Sequence, residues 1–232
     1  MVIGNGMVAA AFNKFLHNDK VCIFASGVSN SLSKDISQFE RERSLIRQVN
    51  ENHRDSLLIY FSSCALVSPE YLNIPYYAHK LNMETYVKNN FNRYIILRLP
   101  QVFGNITINK PTLIDYLYTK ILREEEIRLF NNAKRYVIDI IDVVDFVTHI
   151  ILSKKINQTI DLANPYHYKI DDIVSIIEKL VSKQAIVCKV DKEDDYYKLD
   201  LSKFTSLAYD MSILSEFGIE YLGKRLANKL VL

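Results

Sequence analysis

The sequence predicts a doubly wound α/β protein built on a parallel sheet, and three observations carry that prediction. Short apolar runs rich in β-branched and aromatic residues alternate with helical patterns along the chain. Each run is too apolar to face water on either side, as strands covered on both faces must be. The first strand also passes into the first helix through glycines, in "VIGNGMVAAAF".

The elements follow in order. "MVIG" reads as a strand and "MVAAAFNKFL" as a helix; "KVCIFAS" is a second strand and "SQFERERSLIRQVNEN" a charged amphipathic helix. "SLLIYFSS" is the third strand, the helix holding "PYYAHKLNME" follows, and "RYIILRLP" is the fourth. Beyond Gly104 come the helix "PTLIDYLYTKILREEE", the strand "IRLF", and "YVIDIIDVVDFVTHIILSK", which runs from strand into helix. "TIDLANP" is a late strand and "KIDDIVSIIEKLVSK" a helix opened by an aspartate; a strand, short helices and turns fill Ile186 to Leu232. No low-complexity linker intervenes, so residues 1–104 and 105–232 read as two regions packed as one unit.

Bulk properties exclude several functions. Hydrophobic residues make up 49% and charged residues 24% of 232, the balance of a globular protein with a substantial core. A net charge of +2 argues against nucleic acid as a partner, since broad positive potential is what holds it. No apolar run approaches the roughly 20 residues a membrane-spanning helix needs. The apolar start lacks the basic leading segment of an export signal. Three widely spaced cysteines (Cys22, Cys64, Cys188) form no disulfide framework, which fits a cytoplasmic location, and with five scattered histidines they give no metal pattern.

The candidate chemistry lies at strand ends and on one helix. Gly4-x-Gly6-x-x-Ala9 follows a strand and opens a helix at Met7, where glycines let the backbone approach a pyrophosphate; a tight strand–helix turn is the alternative. The acidic ribose anchor expected after the second strand is missing from "IFASGVSN". "YFSSCA" sets Ser62, Ser63 and Cys64 at a strand's C-terminal end, where open α/β sheets bind ligands. In "PYYAHKLNME" the four-residue spacing of Tyr76, Lys80 and Glu84 stacks them on one helix face. An ammonium beside a phenol lowers the tyrosine pKa and makes a usable proton donor and acceptor; the alternative is a plain amphipathic helix with a solvated lysine.

Taken in order, these segments resemble the extended short-chain dehydrogenase/reductases, the NAD(P)-dependent nucleotide-sugar epimerases, dehydratases and ketoreductases. "FASGVSNS", with Ala25 and Ser26, looks like the segment that flanks the cofactor. "PYYAHKLNME" reproduces Tyr-x-x-x-Lys with its following Glu. "LRLPQVFG", with Pro100, is similar to Leu-Arg-x-x-x-Val-Tyr-Gly, and "RYVIDIIDVVDFV" to Arg-x-x-x-x-(Val/Ile)-x-Asp-(Val/Ile)-(Val/Ile). The resemblance implies a Rossmann-like fold with a small C-terminal substrate-binding lobe, NAD or NADP as cofactor, a nucleotide-sugar substrate, and room for a homodimer. It implies Tyr76 as proton donor, Lys80 on the nicotinamide ribose, and Ser63 or Ser62 on the reacting oxygen, according to register. Comparison with GDP-fucose synthase puts Cys64 at an acid–base position; a small buried packing residue is the alternative. Gly4, Gly6, Met7, Ala25, Ser26 and Pro100 would meet the cofactor. Arg135, with Lys134 as rival, would meet the substrate diphosphate.

The chain departs from that pattern in its first half. Two strands with their helices are missing between the glycine turn and "FASGVSNS", which leaves the first strand at or near a sheet edge and removes the region that grips the adenosine. The dehydratase Thr-Asp-Glu signature is absent, because Cys64 and Ala65 occupy its acidic positions. The expected function is a reductase or epimerase, with 4-keto-sugar reduction in surface-polysaccharide synthesis the favoured activity. The alternative is a member that binds a nucleotide sugar or a partner protein without turnover.

Overall fold

The computed structural model describes residues 1–106, 112–191 and 197–230. In chain order the elements are β1 (Val2–Ile3), α1 (Met7–Ala11), β2 (Val21–Phe24), α2 (Ile36–Asn52), β3 (Leu57–Ser63), α3 (Pro75–Asn90) and β4 (Tyr94–Leu99). Next come β5 (Gln101–Phe103), α4 (Leu113–Leu122), β6 (Glu126–Phe130), β7 (Lys134–Arg135), β8 (Val137–Asp139), α5 (Ile140–Ser153) and β9 (Gln158–Asp161). The last are β10 (Tyr168–Lys169), α6 (Ile170–Val181), β11 (Ile186–Val190), α7 (Ser202–Asp210) and α8 (Tyr221–Ala227). Pro111, where the sequence starts its fourth helix, lies outside the described residues.

The chain forms two compact units, Met1–Leu99 with Val144–Leu162 and Pro100–Val143 with Ala163–Leu232. Sequence reading places its boundary after residue 104; the structure divides the chain after Leu99 and again inside α5. Residues 144–162 join the first unit because β9 pairs with β4.

The first unit holds a five-stranded parallel sheet in the order β1-β2-β3-β4-β9. The missing strands leave β1 at its edge. The central strands "LLIYFSS" and "YIILRL" are apolar on both faces because both are covered. On one face Cys22, Phe24, Leu58, Tyr60 and Ile96 pack against Ile46 and Val49 of α2 and Met83 and Val87 of α3. The first helix is shorter than its sequence suggests: after Ala11 the chain tightens into a 3-10 turn over Asn13–Phe15. Three residues per turn put Phe12 and Phe15 on one side, rings 6.0 Å apart, with Phe12 also 5.6 Å from Phe61. Burial of the phenylalanines outweighs helix propensity there.

α2 starts at Asp35, whose carboxylate accepts from the Ser37 amide at 2.9 Å. α3 starts at Pro75, which suits the first helical turn because that turn's amides have no helical acceptor. α3 is clamped to the sheet by Glu84, fully buried, whose two oxygens accept from Nε and Nη2 of Arg98 on β4, both at 2.8 Å.

In the second unit β5 pairs with β8 and β6 with β11, both parallel, and β7 pairs with β10 antiparallel. Ile114, Leu117 and Ile121 of α4 and Ile173, Val174 and Ile177 of α6 share its core with Tyr221 and Leu222. Tyr221 donates to Asp142 at 2.5 Å and accepts from the Asp139 amide at 2.7 Å, while Arg225 grips Asp142 through Nε and Nη2. These bonds fasten α8 to the junction of β8 and α5.

Arg98→Met strands the buried Glu84 carboxylate, since Lys88 approaches it only at 3.5 Å. Removing one partner of a buried pair costs about 3–5 kcal/mol. Urea unfolding should show a loss of that size; a loss below about 1 kcal/mol would mean that the clamp carries little.

Candidate active site

α2, α3, β3 and the loop after β2 meet at one carboxylate. Glu42 is fully buried. Its Oε2 accepts from the Val28 amide at 2.8 Å and lies 3.0 Å from His79 Nε2. Its Oε1 accepts from the Tyr60 hydroxyl at 2.7 Å and from Lys80 Nζ at 3.0 Å. Lys80 is 3% exposed and also reaches the Tyr60 hydroxyl at 3.3 Å and the Phe61 carbonyl at 3.4 Å. An ammonium has three N–H groups, and all three have protein acceptors here. Gly27 makes room for it: a Cβ at that position would stand 2.6 Å from Lys80 Nζ and 3.1 Å from Glu42 Oε1.

Tyr76 lies one helical turn before Lys80, buried, with the ammonium 5.9 Å from its ring centroid. It packs on Val28 and Phe39, and its ring meets Tyr77 edge-on at 4.9 Å. The sequence-based expectation that Lys80 lowers the Tyr76 pKa is corrected by this geometry. Burial first, and then the Glu42 charge, hold the phenol well above its ordinary value. Tyr60 is raised by the same two causes. Burial alone would raise the Glu42 pKa; Lys80, His79, the Val28 amide and Tyr60 more than offset it and hold the carboxyl far below the usual range.

At the end of β3 the two serines differ. The Ser63 hydroxyl accepts from the Ala65 amide at 3.3 Å, capping the 3-10 turn over Cys64–Val67. The Ser62 hydroxyl is buried without a hydrogen-bond partner. Cys64 is fully buried, its thiol donates to the Arg98 carbonyl at 3.0 Å, and burial and then Asp161 push its pKa up. This is the setting of a packing residue rather than of an acid or base.

The glycine turn has the form the sequence predicts. Gly4 has φ +133° and approaches β2 so closely that a Cβ would stand 2.4 Å from the Ala25 carbonyl oxygen. Gly6 precedes Met7 and α1 with no side-chain cap, no acid follows in the first turn, and a Cβ on Gly6 would meet nothing. Ala25 is bonded to the Ile3 carbonyl through its amide, and Ser26 accepts from Arg41 through its hydroxyl (2.9 Å) and its carbonyl (3.1 Å). Pro100 follows β4. In the second unit, Arg135 stands on β7 opposite Tyr168 and donates to the Lys134 carbonyl at 2.7 Å. Beside it Tyr136 stacks on His167 at 4.2 Å, and burial, then Lys134 and Arg135, hold that imidazole down at about 4.

Sequence reasoning missed Glu42, Tyr60 and His79. One signal was available. Phe39, Glu42, Ile46 and Val49 form the buried stripe of α2, so an acid sits where an apolar residue belongs. A carboxylate on a core stripe needs a buried cation, and Lys80 supplies it.

The residues present fit a dinucleotide at its phosphate end, where the uncapped turn at Gly4 and Gly6 is open to an anion. At the Lys80 end, the N–H groups that would meet a ribose are already bonded within the protein. Among the described residues no group of three or more His, Cys, Asp or Glu side chains is placed to hold a metal ion, and no helix is long and apolar enough to cross a membrane.

An open parallel sheet with a glycine turn after its first strand and Tyr-x-x-x-Lys on the helix following β3 defines a dinucleotide-binding α/β protein. The sequence profile of the NAD dependent epimerase/dehydratase family matches residues 8–163, and the chain belongs to that family. No curated protein matches it by sequence. Solved structures share the fold. UDP-glucuronic acid 4-epimerase from Bacillus cereus, in complex with NAD, is 21% identical with a TM-score of 0.68, over 94% of this chain and 76% of that one. UDP-glucose 4-epimerase from Thermus thermophilus, in complex with NAD, is 12% identical with a TM-score of 0.69, over 96% and 80%. dTDP-glucose 4,6-dehydratase from Bacillus anthracis, in complex with NAD, is 13% identical with a TM-score of 0.70, over 97% and 78%.

The Glu42 carboxyl links stability to pH. Its folded pKa is depressed, so its contribution is fully present above the ordinary glutamate value of 4.5 and is lost as pH falls below it toward the folded value. Glu42→Gln removes that contribution at all pH. Urea unfolding from neutral pH into the acid range should therefore show a shallower decline for the variant than for wild type. Parallel declines would place the acid sensitivity elsewhere.

Proposed function

We propose that this chain is an NAD(P)-dependent oxidoreductase or epimerase of a nucleotide-activated sugar, and within that class a cytoplasmic 4-keto-sugar reductase of surface-polysaccharide synthesis. The observation that supports this reading is the placement of Tyr76 one turn from Lys80, in the same unit as the Ser62 strand end and the Gly4–Gly6 turn. Family membership and solved relatives named as enzymes of UDP- and dTDP-sugars support the substrate class.

When bound, the dinucleotide supplies or takes the hydride. The chain's own residues handle the proton and the geometry. Burial and then Glu42 hold the Tyr76 phenol above its ordinary value, and in this reading it donates its proton to a carbonyl oxygen under reduction. Ser62, rather than the capping Ser63, has an unspent hydroxyl to orient that oxygen. Dehydration would need an acid–base pair at Cys64 and Ala65, where a buried thiol and a methyl group stand. Gly4, Gly6 and Met7 take the pyrophosphate in this reading, and Ala25, Ser26 and Pro100 flank the cofactor.

Titration with NADH and NADPH, followed by nicotinamide fluorescence, should give affinities within about tenfold of each other, because no acidic ribose anchor follows β2. Tyr76→Phe should keep that binding and lose roughly 10²–10⁴-fold in turnover of a 4-keto nucleotide sugar. No binding of either cofactor, or full turnover by Tyr76→Phe, would leave the non-catalytic binding reading in its place.

The substrate diphosphate is assigned in this proposal to Arg135, whose planar guanidinium can give two parallel hydrogen bonds. Arg135→Lys should weaken binding of UDP or dTDP by isothermal titration and leave NADH binding unchanged. Equal nucleotide affinity in both proteins would remove Arg135 from the site.

A further inference from the structure

We propose that Glu42 is the positioning residue of the Tyr76–Lys80 pair, a buried anion that fixes the Lys80 ammonium and cancels its charge beside the Tyr76 ring. The proposal rests on the reading of Tyr76 as proton donor, and it assigns Glu42 a role that neither the sequence motif nor family membership supplies.

The geometry carries it. Glu42 and Lys80 lie on different helices, α2 and α3, and each is almost completely enclosed. The pair is seated from three further sides. The Val28 amide binds Oε2, the Tyr60 hydroxyl binds Oε1 and lies 3.3 Å from Lys80 Nζ, and His79 Nε2 stands 3.0 Å from Oε2, its ring stacked on Phe39 at 4.7 Å. Gly27 clears the space, since any side chain there would collide with the ammonium. A lysine so held cannot swing toward the phenol, and its positive charge is met by a carboxylate 3.0 Å away. Tyr76 therefore faces a pair of zero net charge rather than a free cation. In water such a pair would be screened; in this enclosed setting its charges are felt at the phenol in addition to burial. Glu42 also acts on the phenol itself, after burial, in holding its pKa above the ordinary value.

The groups that face Tyr76 are Glu42 from α2, Tyr60 from β3, and Tyr77 and Lys80 from α3, with His79 in contact with Glu42. If Glu42 cancels the lysine charge, Glu42→Gln leaves the ammonium uncancelled, and Tyr76 should titrate lower by at least about one pH unit. Carbon-13 tyrosine NMR measures this without cofactor or turnover, with Tyr76→Phe and Tyr60→Phe assigning the signals. The double variant Glu42→Gln/Lys80→Met is neutral like the native pair and should return Tyr76 toward its wild-type titration. A purely structural role for Glu42 would lower the melting temperature and leave the Tyr76 titration where it was. An unchanged or raised Tyr76 titration in Glu42→Gln would overturn the proposal.

A measurement on the wild-type protein covers the case in which Glu42→Gln does not fold. Lys80 should resist an amine-reactive acylating reagent at least about tenfold better than the exposed lysines, mapped by mass spectrometry. Acylation of Lys80 at the rate of the exposed lysines would overturn the proposal. Failure of the Tyr76→Phe turnover test would instead strike the proton-donor reading, while the NMR result stood.

Discussion

A carboxylate buried away from water must be paired and hydrogen-bonded, or it will take up a proton. In the first unit that constraint falls on Glu42, and much of the local architecture satisfies it. The loop after β2 turns its Val28 amide inward, β3 contributes the Tyr60 hydroxyl, and α3 contributes His79 and Lys80 from adjacent positions. Gly27 is part of the same solution, because only a residue without a side chain leaves the ammonium its place. Val28, Tyr60, His79 and Gly27 look ordinary in the sequence, and they make sense only as a set with Glu42 and Lys80.

The fold was legible because it rests on period and punctuation. Apolar strands covered on both faces, helices with polar outer sides, and a glycine that must adopt φ +133° can each be recognised locally. Even the edge position of β1 followed from the missing residues between it and β2. The first helix was less legible: its alanines promise several turns, but the tertiary demand to bury Phe12 and Phe15 together ends it early. Local propensity is a weak prior against packing of that kind.

The site was legible only along one helix. The spacing of Tyr76 and Lys80 gives their common face, yet it cannot say which charges stand opposite that face. The opposing charge is Glu42 on α2, more than thirty positions earlier in the chain, and it adds to burial, the larger cause, in raising the Tyr76 pKa. Ser62 and Ser63 could not be separated by sequence because both registers were open. The structure separates them by hydrogen bonding: one hydroxyl caps a 3-10 turn and the other is buried and unspent.

The Glu42–Lys80 pair is not explained by stability alone. A buried ion pair recovers through mutual attraction little more than its desolvation costs, and well-packed apolar residues of similar size often serve a fold as well or better. The Arg98–Glu84 clamp differs in kind, because its arginine is partly exposed and its two parallel bonds fix α3 on β4. Glu42 adds to that clamp no helix or strand that packing does not already hold, since Ile46, Val49, Met83 and Val87 join α2 and α3 to the sheet. What only a carboxylate can add is negative charge at that point, beside a lysine and within reach of a phenol. The physical consequence is electrostatic: the cation beside Tyr76 is met by an opposite charge, and that carboxylate adds to burial in holding the phenol's pKa up.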